Sequence, residues 1–440
     1  MPWRGAARAA KSYLEELRVS KDAVVAGIDI GSSKICALLG EVQREGRVHV
    51  LGVGVVPSKG IRRGVVVNIE QAVEAISAAV AKAERASGYK IVSAYVTVSG
   101  AHIASLNNRG VVGVAGEERI IREEDVQRAV EAARVISLPA DRQIVHVIPR
   151  SFVVDGQDGV HNPAGMAGYR LEVDAHVITG GTTAIQNMAR CLSRAGVEVA
   201  GLVFEPLASA AAVLSDEERE MGVALADIGG GTTNLVAFVE GSVCHTSVAP
   251  LGGGHVTNDI AVGLRTPLGS AEELKLAAGQ ALYAEVAPDE VVRIPGFGGG
   301  GSEVSRRRLC EIVEARLEEV CTAIAGEVVR SGYDGLLPAG VVLTGGVAET
   351  PGIETLAQEI CRLPVRTGRP HGVSGLGDLA RGPGYAAGVG LLLWGAQAEY
   401  SPAAAASVGK PVPTGRADGR RAVLAKSAGR VGVWLRSFLP

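Results

Sequence analysis

The stretch DIGGGTTNL runs from Asp227 to Leu235 and directly follows the apolar run Val223–Ala226. A similar stretch, DIGSSKICAL, runs from Asp29 to Leu38 and follows the apolar run Val24–Ile28. In both, an apolar run ends in an Asp-Ile-Gly turn and a second apolar run comes after it, which predicts a strand–turn–strand hairpin. The repetition predicts two similar halves within one chain.

The turns of both hairpins carry the residue types that bind polyphosphates. Glycine lets backbone N–H groups approach an anion, hydroxyl groups donate to phosphate oxygens, and lysine neutralises charge. Carboxylates at strand ends suit Mg²⁺, held through its waters. The predicted metal residues are Asp29 and Asp227, and the predicted phosphate residues are Gly31, Ser32, Ser33, Lys34, Gly229, Gly230, Gly231, Thr232 and Thr233. Taken singly, each stretch is equally compatible with an ordinary glycine hairpin, but the matching order of parts favours a clamp on one polyphosphate.

A third glycine motif lies in GVVLTGGVAETPGIETL, residues 340–356. It predicts a strand over Val341–Thr344, a turn at Gly345 and Gly346, and then a helix with Thr350 as its N-cap and Pro351 in its first turn. The double glycine permits close backbone approach to a nucleoside. A routine strand-to-helix connection is an equally good interpretation of this motif alone.

The composition is that of an α/β protein with several packed domains. The chain has 440 residues, of which 47% are hydrophobic and 21% charged, and 59 are glycine. This balance excludes wholesale disorder. The six cysteines form no CxxC pair, so we expect free thiols in a reducing cytoplasm. The longest apolar stretch, Ala386–Trp394, is too short to span a bilayer.

The charge is distributed unevenly. Residues 401–440 contain seven basic residues and one acidic residue, a charge of +6, which leaves −9 for the first 400 residues of a chain whose total is −3. At the end of this basic segment, apolar side chains follow helical spacing at Val431, Trp434, Leu435, Phe438 and Leu439. A short cationic helix with such a stripe is typical of a membrane interface, where it binds anionic lipid. Docking of this helix on its own protein is the alternative.

Taken together, the three glycine motifs resemble the actin-like ATPase superfamily. The segment GGGHVTNDIAVGLRTPLGSAEELK (252–275) and the segment VIPRSFVVDGQDGVHNPAGMAGYRLEVDAHVITG (147–180) resemble the bacterial cell-division FtsA family, and this likeness extends over roughly residues 23–396. The resemblance implies a two-lobed, ribonuclease H-like α/β fold that holds ATP and Mg²⁺ between its lobes. It also implies an inserted α+β subdomain, called 1C in the family.

The resemblance assigns further roles to individual residues. EPLASAAAVL (205–214) and GYAAGVGLLLWG (384–395) resemble the two connecting helices of the superfamily, and Glu205 matches the residue that orients water near the γ-phosphate. Glu272 and Lys275 match positions that hold the ribose and adenine, although their spacing alone favours a surface ion pair. Arg308 and Arg316 match basic positions that bind the C-terminal peptide of FtsZ. The alternative for this basic helix is a solvated face.

The expected domain order follows from these matches. It comprises an N-terminal extension (1–22), subdomain 1A (23–84, 172–213 and 375–398), subdomain 1C (85–171), subdomain 2A (214–250 and 335–374), subdomain 2B (251–334), a linker (399–424) and the membrane-targeting helix (425–440).

The expected function is that of an FtsA-type tether. Such a protein binds ATP with at most weak ATPase activity, in which Asp29, Asp227 and Glu205 take the catalytic positions. It self-associates into filaments, recruits later division proteins through 1C, and holds FtsZ on the cytoplasmic face of the cell membrane at the division site. We expect no nucleic-acid partner. The alternatives are an actin-fold small-molecule kinase and a chaperone-like ATPase.

Overall fold

The structure is a computed structural model that describes residues 23–43, 46–296, 301–375 and 380–400. The predicted N-terminal extension and membrane-targeting helix, with the linker from residue 401 onward, lie outside the described residues. No helix within the described ranges combines the length and the apolar composition needed to cross a bilayer.

The described residues form strands and helices in alternation. The strands are β1 (Ala23–Ile30), β2 (Lys34–Val42), β3 (Val48–Pro57), β4 (Ile61–Arg62), β5 (Val65–Val66), β6 (Ser93–Val98), β7 (Ala104–Gly113), β8 (Arg142–Val154), β9 (Gln157–Val160), β10 (Arg170–Gly181), β11 (Glu198–Phe204), β12 (Val223–Ile228), β13 (Thr233–Val239), β14 (Ser242–Ala249), β15 (Val291–Pro295), β16 (Gly301–Ser305), β17 (Val341–Thr344), β18 (Val365–Thr367) and β19 (Val373–Ser374). The helices are α1 (Ile69–Ser87), α2 (Glu123–Arg134), α3 (Thr182–Arg194), α4 (Glu205–Val213), α5 (Asp216–Met221), α6 (Gly253–Gly263), α7 (Leu268–Ala278), α8 (Arg306–Ser331), α9 (Ile353–Cys361) and α10 (Ala386–Tyr400).

The two predicted hairpins are confirmed and share one register. Strands β1 and β2 pair antiparallel with Asp29 opposite Cys36, and β12 and β13 pair antiparallel with Asp227 opposite Asn234. The turns close in the same way, since the N–H of Gly31 donates to the carbonyl of Lys34 and the N–H of Gly229 donates to that of Thr232. The internal repeat in the sequence is therefore a repeat in structure.

Each hairpin lies in its own sheet, and the two sheets form two lobes. The first lobe has the strand order β11-β6-β1-β2-β3-β19, in which β1 runs parallel to β6. The second has the order β14-β13-β12-β17-β18, in which β12 runs parallel to β17. Strands β1 and β12 are apolar and almost fully buried, as expected for strands covered on both faces.

Helix α1 illustrates how the sequence positions a layer on the first sheet. It starts after Asn68, whose side chain accepts from the N–H of Gln71, and it ends at Gly88 with φ of +77°. Small residues on its buried face meet glycines of β3, where a Cβ at Gly54 would lie 2.1 Å from the carbonyl oxygen of Ala79. The glycine allows the helix to pack directly on the strand backbone.

The inserted subdomain is a separate four-stranded sheet in the order β7-β10-β8-β9, with α2 packed against it. Its core contains Phe152, Leu171 and Val173, all fully buried. The insertion begins later and ends later than the expected 85–171. Strand β6 belongs to the sheet of the first lobe, and β10 continues the small sheet to Gly181. The expected boundaries followed from the family resemblance, and strand pairing sets the actual ones. Likewise β19, expected in the second lobe, pairs with β3 of the first.

The third glycine motif differs from its prediction in one detail. Strand β17 and the glycine turn are present, but a 3₁₀ helix over Gly346–Glu349 follows the turn. The N–H of Thr350 then donates to Val347, and α9 begins only after Gly352, which has φ of +81°. Thr350 is therefore not the N-cap, because the tight 3₁₀ turn already uses its backbone.

Candidate functional site

A cavity of about 540 Å³ lies between the two lobes. Strand ends from both sheets converge on it: the first hairpin turn comes from the sheet of the first lobe, and the second hairpin turn and the turn after β17 come from the sheet of the second. The predicted site residues that line it are Asp29, Gly31, Ser32, Ser33, Lys34, Glu205, Asp227, Gly229, Gly230, Gly231, Thr232, Glu272, Lys275, Gly345 and Gly346. Tertiary structure thus brings together residues from widely separated parts of the chain.

The two hairpin turns contact one another across the cavity. A Cβ placed on Gly230 would lie 2.8 Å from the Cβ of Ser33, and one placed on Gly231 would lie 2.8 Å from the Oγ of Ser32. Side chains at these two glycines would force the lobes apart. The hydroxyl of Ser32 accepts from the N–H of Gly64 at 3.1 Å, so its own proton is free to donate into the cavity.

Lys34 contributes the cation at this end of the cavity. Its Nζ lies 3.6 Å from the ring centroid of Tyr385, and a Cβ at Gly384 would lie 2.9 Å from the same atom. The ring orients the ammonium through a cation–π contact while leaving its protons available. Tyr385 lies in the segment that leads into α10 and was not among the predicted residues.

Three buried carboxyl groups face the cavity, and each is held by a polar neighbour. The hydroxyl of Thr97 donates to Asp29 at 2.9 Å, that of Ser209 donates to Asp227, and the side-chain amide of Asn234 donates to Glu205 at 2.9 Å. Thr97, Ser209 and Asn234 were not predicted. Asn234 belongs to the quoted motif and faces Asp227 across the hairpin, so hairpin register is the signal that identifies it.

The pKa values of all three carboxyl groups are raised. Burial is the main cause in each case. It raises the pKa of Asp227 to about 7, with the negative charge of Asp29 as a further cause, while the hydrogen bond from Ser209 and the charge of Lys34 act in the opposite direction. The pKa of Glu205 lies well above its usual value, because the charges of Asp227 and Asp29 add to burial. The cluster therefore favours a cation among its members.

The carboxyl groups of Asp29 and Asp227 are oxygen donors that suit Mg²⁺. Among the described residues, no group of three or more His, Cys, Asp or Glu side chains has the geometry to hold a metal ion. Mg²⁺ keeps several of its waters and binds proteins through one or two carboxylates, and a cation beside Asp29 and Asp227 would offset the repulsion between their charges.

The opposite end of the cavity suits a nucleoside. Lys275 donates to Glu272 at 2.7 Å and to the hydroxyl of Thr257 at 2.9 Å, and both ionic residues line the cavity. Glu272 and Lys275 therefore form the i,i+3 ion pair and also line the cavity. Apolar side chains complete this end of the cavity, namely Val256, Leu276, Val313, Leu317 and Val347.

Three predicted residues lie outside the cavity. Thr233, predicted to bind phosphate, lies in β13 and donates its hydroxyl to the carbonyl of Leu251 at 2.9 Å. It differs from Thr232 because Thr232 belongs to the hairpin turn, whereas Thr233 is the first residue of β13. Arg308 and Arg316 lie on α8, in the second lobe. Arg308 is exposed and pairs with Glu311, while Arg316 is bound to Asp259 at 2.6 Å and also pairs with Glu319.

The fold and the cavity define an actin-like ATPase fold with an inserted subdomain. The chain is similar to a solved PilM–PilN type IV pilus biogenesis complex, with a TM-score of 0.62 at 18% identity, over 86% of this chain and 99% of that one. The ethanolamine utilization protein EutJ from Carboxydothermus hydrogenoformans gives a TM-score of 0.50 at 16% identity, over 85% of this chain and 90% of that one. The predicted fold class is confirmed.

The family follows from the sequence comparisons. A family model described as "Cell division protein FtsA" matches residues 224–390, and one described as "SHS2 domain inserted in FTSA" matches residues 100–179. The FtsA of Pseudomonas aeruginosa is 44% identical over 380 residues, 86% of this chain and 91% of the relative. The FtsA of Escherichia coli K12 is 36% identical over 400 residues, 88% and 95% of the two chains. This chain belongs to the FtsA family of cell-division proteins.

Proposed function

We propose that this chain binds ATP with Mg²⁺ in the cavity between its lobes, assembles into filaments, and tethers FtsZ to the cytoplasmic face of the membrane at the division site. One observation carries the nucleotide part: two hairpins of identical register face each other across a cavity lined by Asp29, Asp227 and Glu205 and by two lysines, Lys34 and Lys275. Two hairpins facing each other provide donors on both sides of one polyphosphate chain.

Each group in the cavity has a defined task in this proposal. The turn N–H groups, the hydroxyls of Ser32 and Thr232, and Lys34 bind phosphate oxygens. Asp29 and Asp227 hold the waters of Mg²⁺, which supplies charge neutralisation when it is bound. Glu272 and Lys275 face the ribose and base.

Weak turnover is the part of the proposal that concerns Glu205. Its carboxylate accepts from the side-chain amide of Asn234 at 2.9 Å, and burial together with the charges of Asp227 and Asp29 raises its pKa. A raised pKa disfavours the charged carboxylate, which is the form that accepts a proton from water. We therefore expect the site to serve binding more than hydrolysis.

The tethering part rests on charge and family. The segment 401–440 carries +6 and the rest of the chain −9, so an anionic membrane attracts the tail and repels the body. On α8 the exposed Arg308 is the arginine available to the acidic groups of an FtsZ C-terminal peptide, because Arg316 is held by Asp259. A single interfacial helix binds modestly, and filament formation multiplies its attachment through avidity.

Calorimetry with ATP and Mg²⁺ tests the nucleotide site. Asp227→Ala removes a carboxylate that holds the metal waters, and we expect the affinity to fall about tenfold or more. Asp158→Ala is the matched control, because Asp158 is exposed on the inserted sheet. Equal affinity for both variants contradicts the proposal.

Co-pelleting with FtsZ on anionic vesicles, with and without ATP, tests the tether. We expect FtsZ to pellet with vesicles only when this protein is present, and more strongly with ATP. The kinase alternative instead predicts release of ADP that depends on an added small-molecule acceptor.

A further inference from the structure

Arg63 is a basic residue next to Gly64, which lines the cavity, and the family match and the motifs leave it without a role. It lies at the turn between β4 and β5, and its side chain is exposed. Within the described part of the chain, no carboxylate forms an ion pair with it. Its contact is instead with a histidine, since Nη2 lies 3.3 Å from Nε2 of His255.

The backbone of Arg63 is held against both phosphate hairpins. The N–H of the next residue, Gly64, donates to the hydroxyl of Ser32 in the first hairpin turn at 3.1 Å. In the second hairpin, a Cβ at Gly231 would lie 3.1 Å from the Cα of Arg63. Arg63 itself has φ of +49°, a conformation that a side chain other than glycine adopts only when its surroundings fix it. The side chain therefore starts from a fixed point beside the turns.

This point lies beside both hairpin turns. The N–H of Gly64 donates to Ser32, and the Cα of Arg63 lies close to Gly231. The present partner, His255, lies in the first turn of α6, whose Gly253 and Gly254 donate to the carbonyls of Gly229 and Gly230. The guanidinium therefore bonds to the helix that is held against the second hairpin turn.

We propose that Arg63 leaves His255 and binds the terminal phosphate of the nucleotide, so that it distinguishes a nucleoside triphosphate from a diphosphate. A guanidinium forms shorter and stronger hydrogen bonds with a phosphate than with an uncharged acceptor, and it binds phosphate oxygens in pairs. Arg63 belongs to the first lobe, and both His255 and the second hairpin belong to the other. The exchange therefore replaces a contact between the lobes that needs no nucleotide with one that needs the terminal phosphate. The inference rests on the proposed function of the cavity.

The test compares ATP and ADP binding by calorimetry with the full-length chain and Mg²⁺. Arg63→Gly removes the guanidinium and suits the positive φ, so it does not endanger the fold. We expect it to lower ATP affinity about tenfold or more while ADP affinity changes by less than about threefold. Arg63→Lys keeps the charge and should recover part of the loss. Arg62→Ala, at the adjacent exposed position, should behave as wild type.

A further variant distinguishes phosphate binding by Arg63 from a role limited to its hydrogen bond with His255. If Arg63 acts only by bonding to His255, then His255→Ala reproduces the effect of Arg63→Gly, and the proposal is wrong. If Arg63 binds phosphate, His255→Ala retains the preference for ATP. Equal losses of ATP and ADP affinity in Arg63→Gly, or no loss of either, also overturn it. If the wild-type chain binds neither ATP nor ADP, the proposed nucleotide-binding function is wrong as well. The results with the Arg63 and His255 variants bear only on the role of Arg63.

Discussion

The carboxyl groups of the cavity are costly to the nucleotide-free fold. Asp29 and Asp227 are less than a tenth exposed, and Asp227 lies close enough to Asp29 for the charge of one to raise the pKa of the other. Single hydrogen bonds from Thr97 and Ser209 offset part of this cost. Because these acidic groups are buried and repel one another, binding of a cation beside them is favourable.

This preference predicts how stability depends on pH. The folded protein raises the pKa of Asp227 from 3.8 to about 7, so the folded state binds the proton more tightly than the unfolded state. Between these two values the free energy of unfolding of the nucleotide-free protein should therefore fall as the pH rises, by at most about 4 kcal/mol at 1.36 kcal/mol per pKa unit. Asp227→Asn should flatten this slope in urea unfolding at pH 5, 6, 7 and 8. If Asp227→Asn keeps the wild-type slope of unfolding free energy against pH, Asp227 is not the source of this pH dependence.

At the scale of elements, the crossing of α4 and α10 holds the base of the cavity. These helices lie in the two segments that resemble the connecting helices of the superfamily, and both are rich in small residues, which the close crossing requires. A Cβ at Gly390 would lie only 1.7 Å from the carbonyl oxygen of Ala208. Helix α4 begins at Glu205, and the segment leading into α10 carries Tyr385 beside Lys34, so the crossing also positions cavity residues.

Gly390→Ala tests this crossing. We expect it to lower the free energy of unfolding by about 1–3 kcal/mol, because the added methyl group pushes the helices apart. Gly326→Ala in α8 is the control, since the nearest neighbour of the added Cβ would be Nη2 of Arg330, 3.9 Å away. Alanine in an open helical position should instead stabilise the protein by up to about 1 kcal/mol. Urea unfolding measures both, and similar destabilisation of the two variants would show that the crossing is not special.

At the scale of the whole molecule, hydrogen bonds join the inserted subdomain to the second lobe. Arg150 of β8 donates to the hydroxyl of Tyr333 at 2.7 Å, and Ser105 of β7 donates to the carbonyl of Thr246 at 3.0 Å. His176 of β10 lies 2.9 Å from the hydroxyl of Thr246, and burial lowers its pKa to about 3, so it remains neutral. The insertion is therefore in contact with the lobe that carries the second phosphate hairpin.

The membrane prediction also belongs to this scale, and it concerns residues outside the described ranges. A chain ending at Ala428 lacks the apolar stripe, and we expect it not to float with anionic vesicles, whereas the full chain does. Within the full chain, Trp434→Ala should weaken binding about tenfold through lost apolar burial. Ser437→Ala, off the stripe, should leave it unchanged. Equal flotation of the truncated and full chains would rule out the tether.

The sequence by itself determined the repeated hairpins, the glycine turns and the α/β class. These features follow from local chemistry: an apolar run, a glycine that frees the backbone, and hydroxyl or acidic side chains at the strand end. Family-specific segments added the insertion and the cavity residues Glu205, Glu272 and Lys275.

Only the tertiary structure decided which of these residues meet, because contact depends on strand register and on packing between distant segments. It separated Thr232, which lies in the hairpin turn and lines the cavity, from Thr233, which begins β13 and does not line it. It brought Thr97, Ser209 and Tyr385 to the predicted carboxylates and lysine; Ser209 and Tyr385 lie in the segments that resemble the connecting helices, and Thr97 lies outside the quoted motifs. It also placed the boundaries of the insertion, since hydrogen bonding between strands assigns each strand to a sheet.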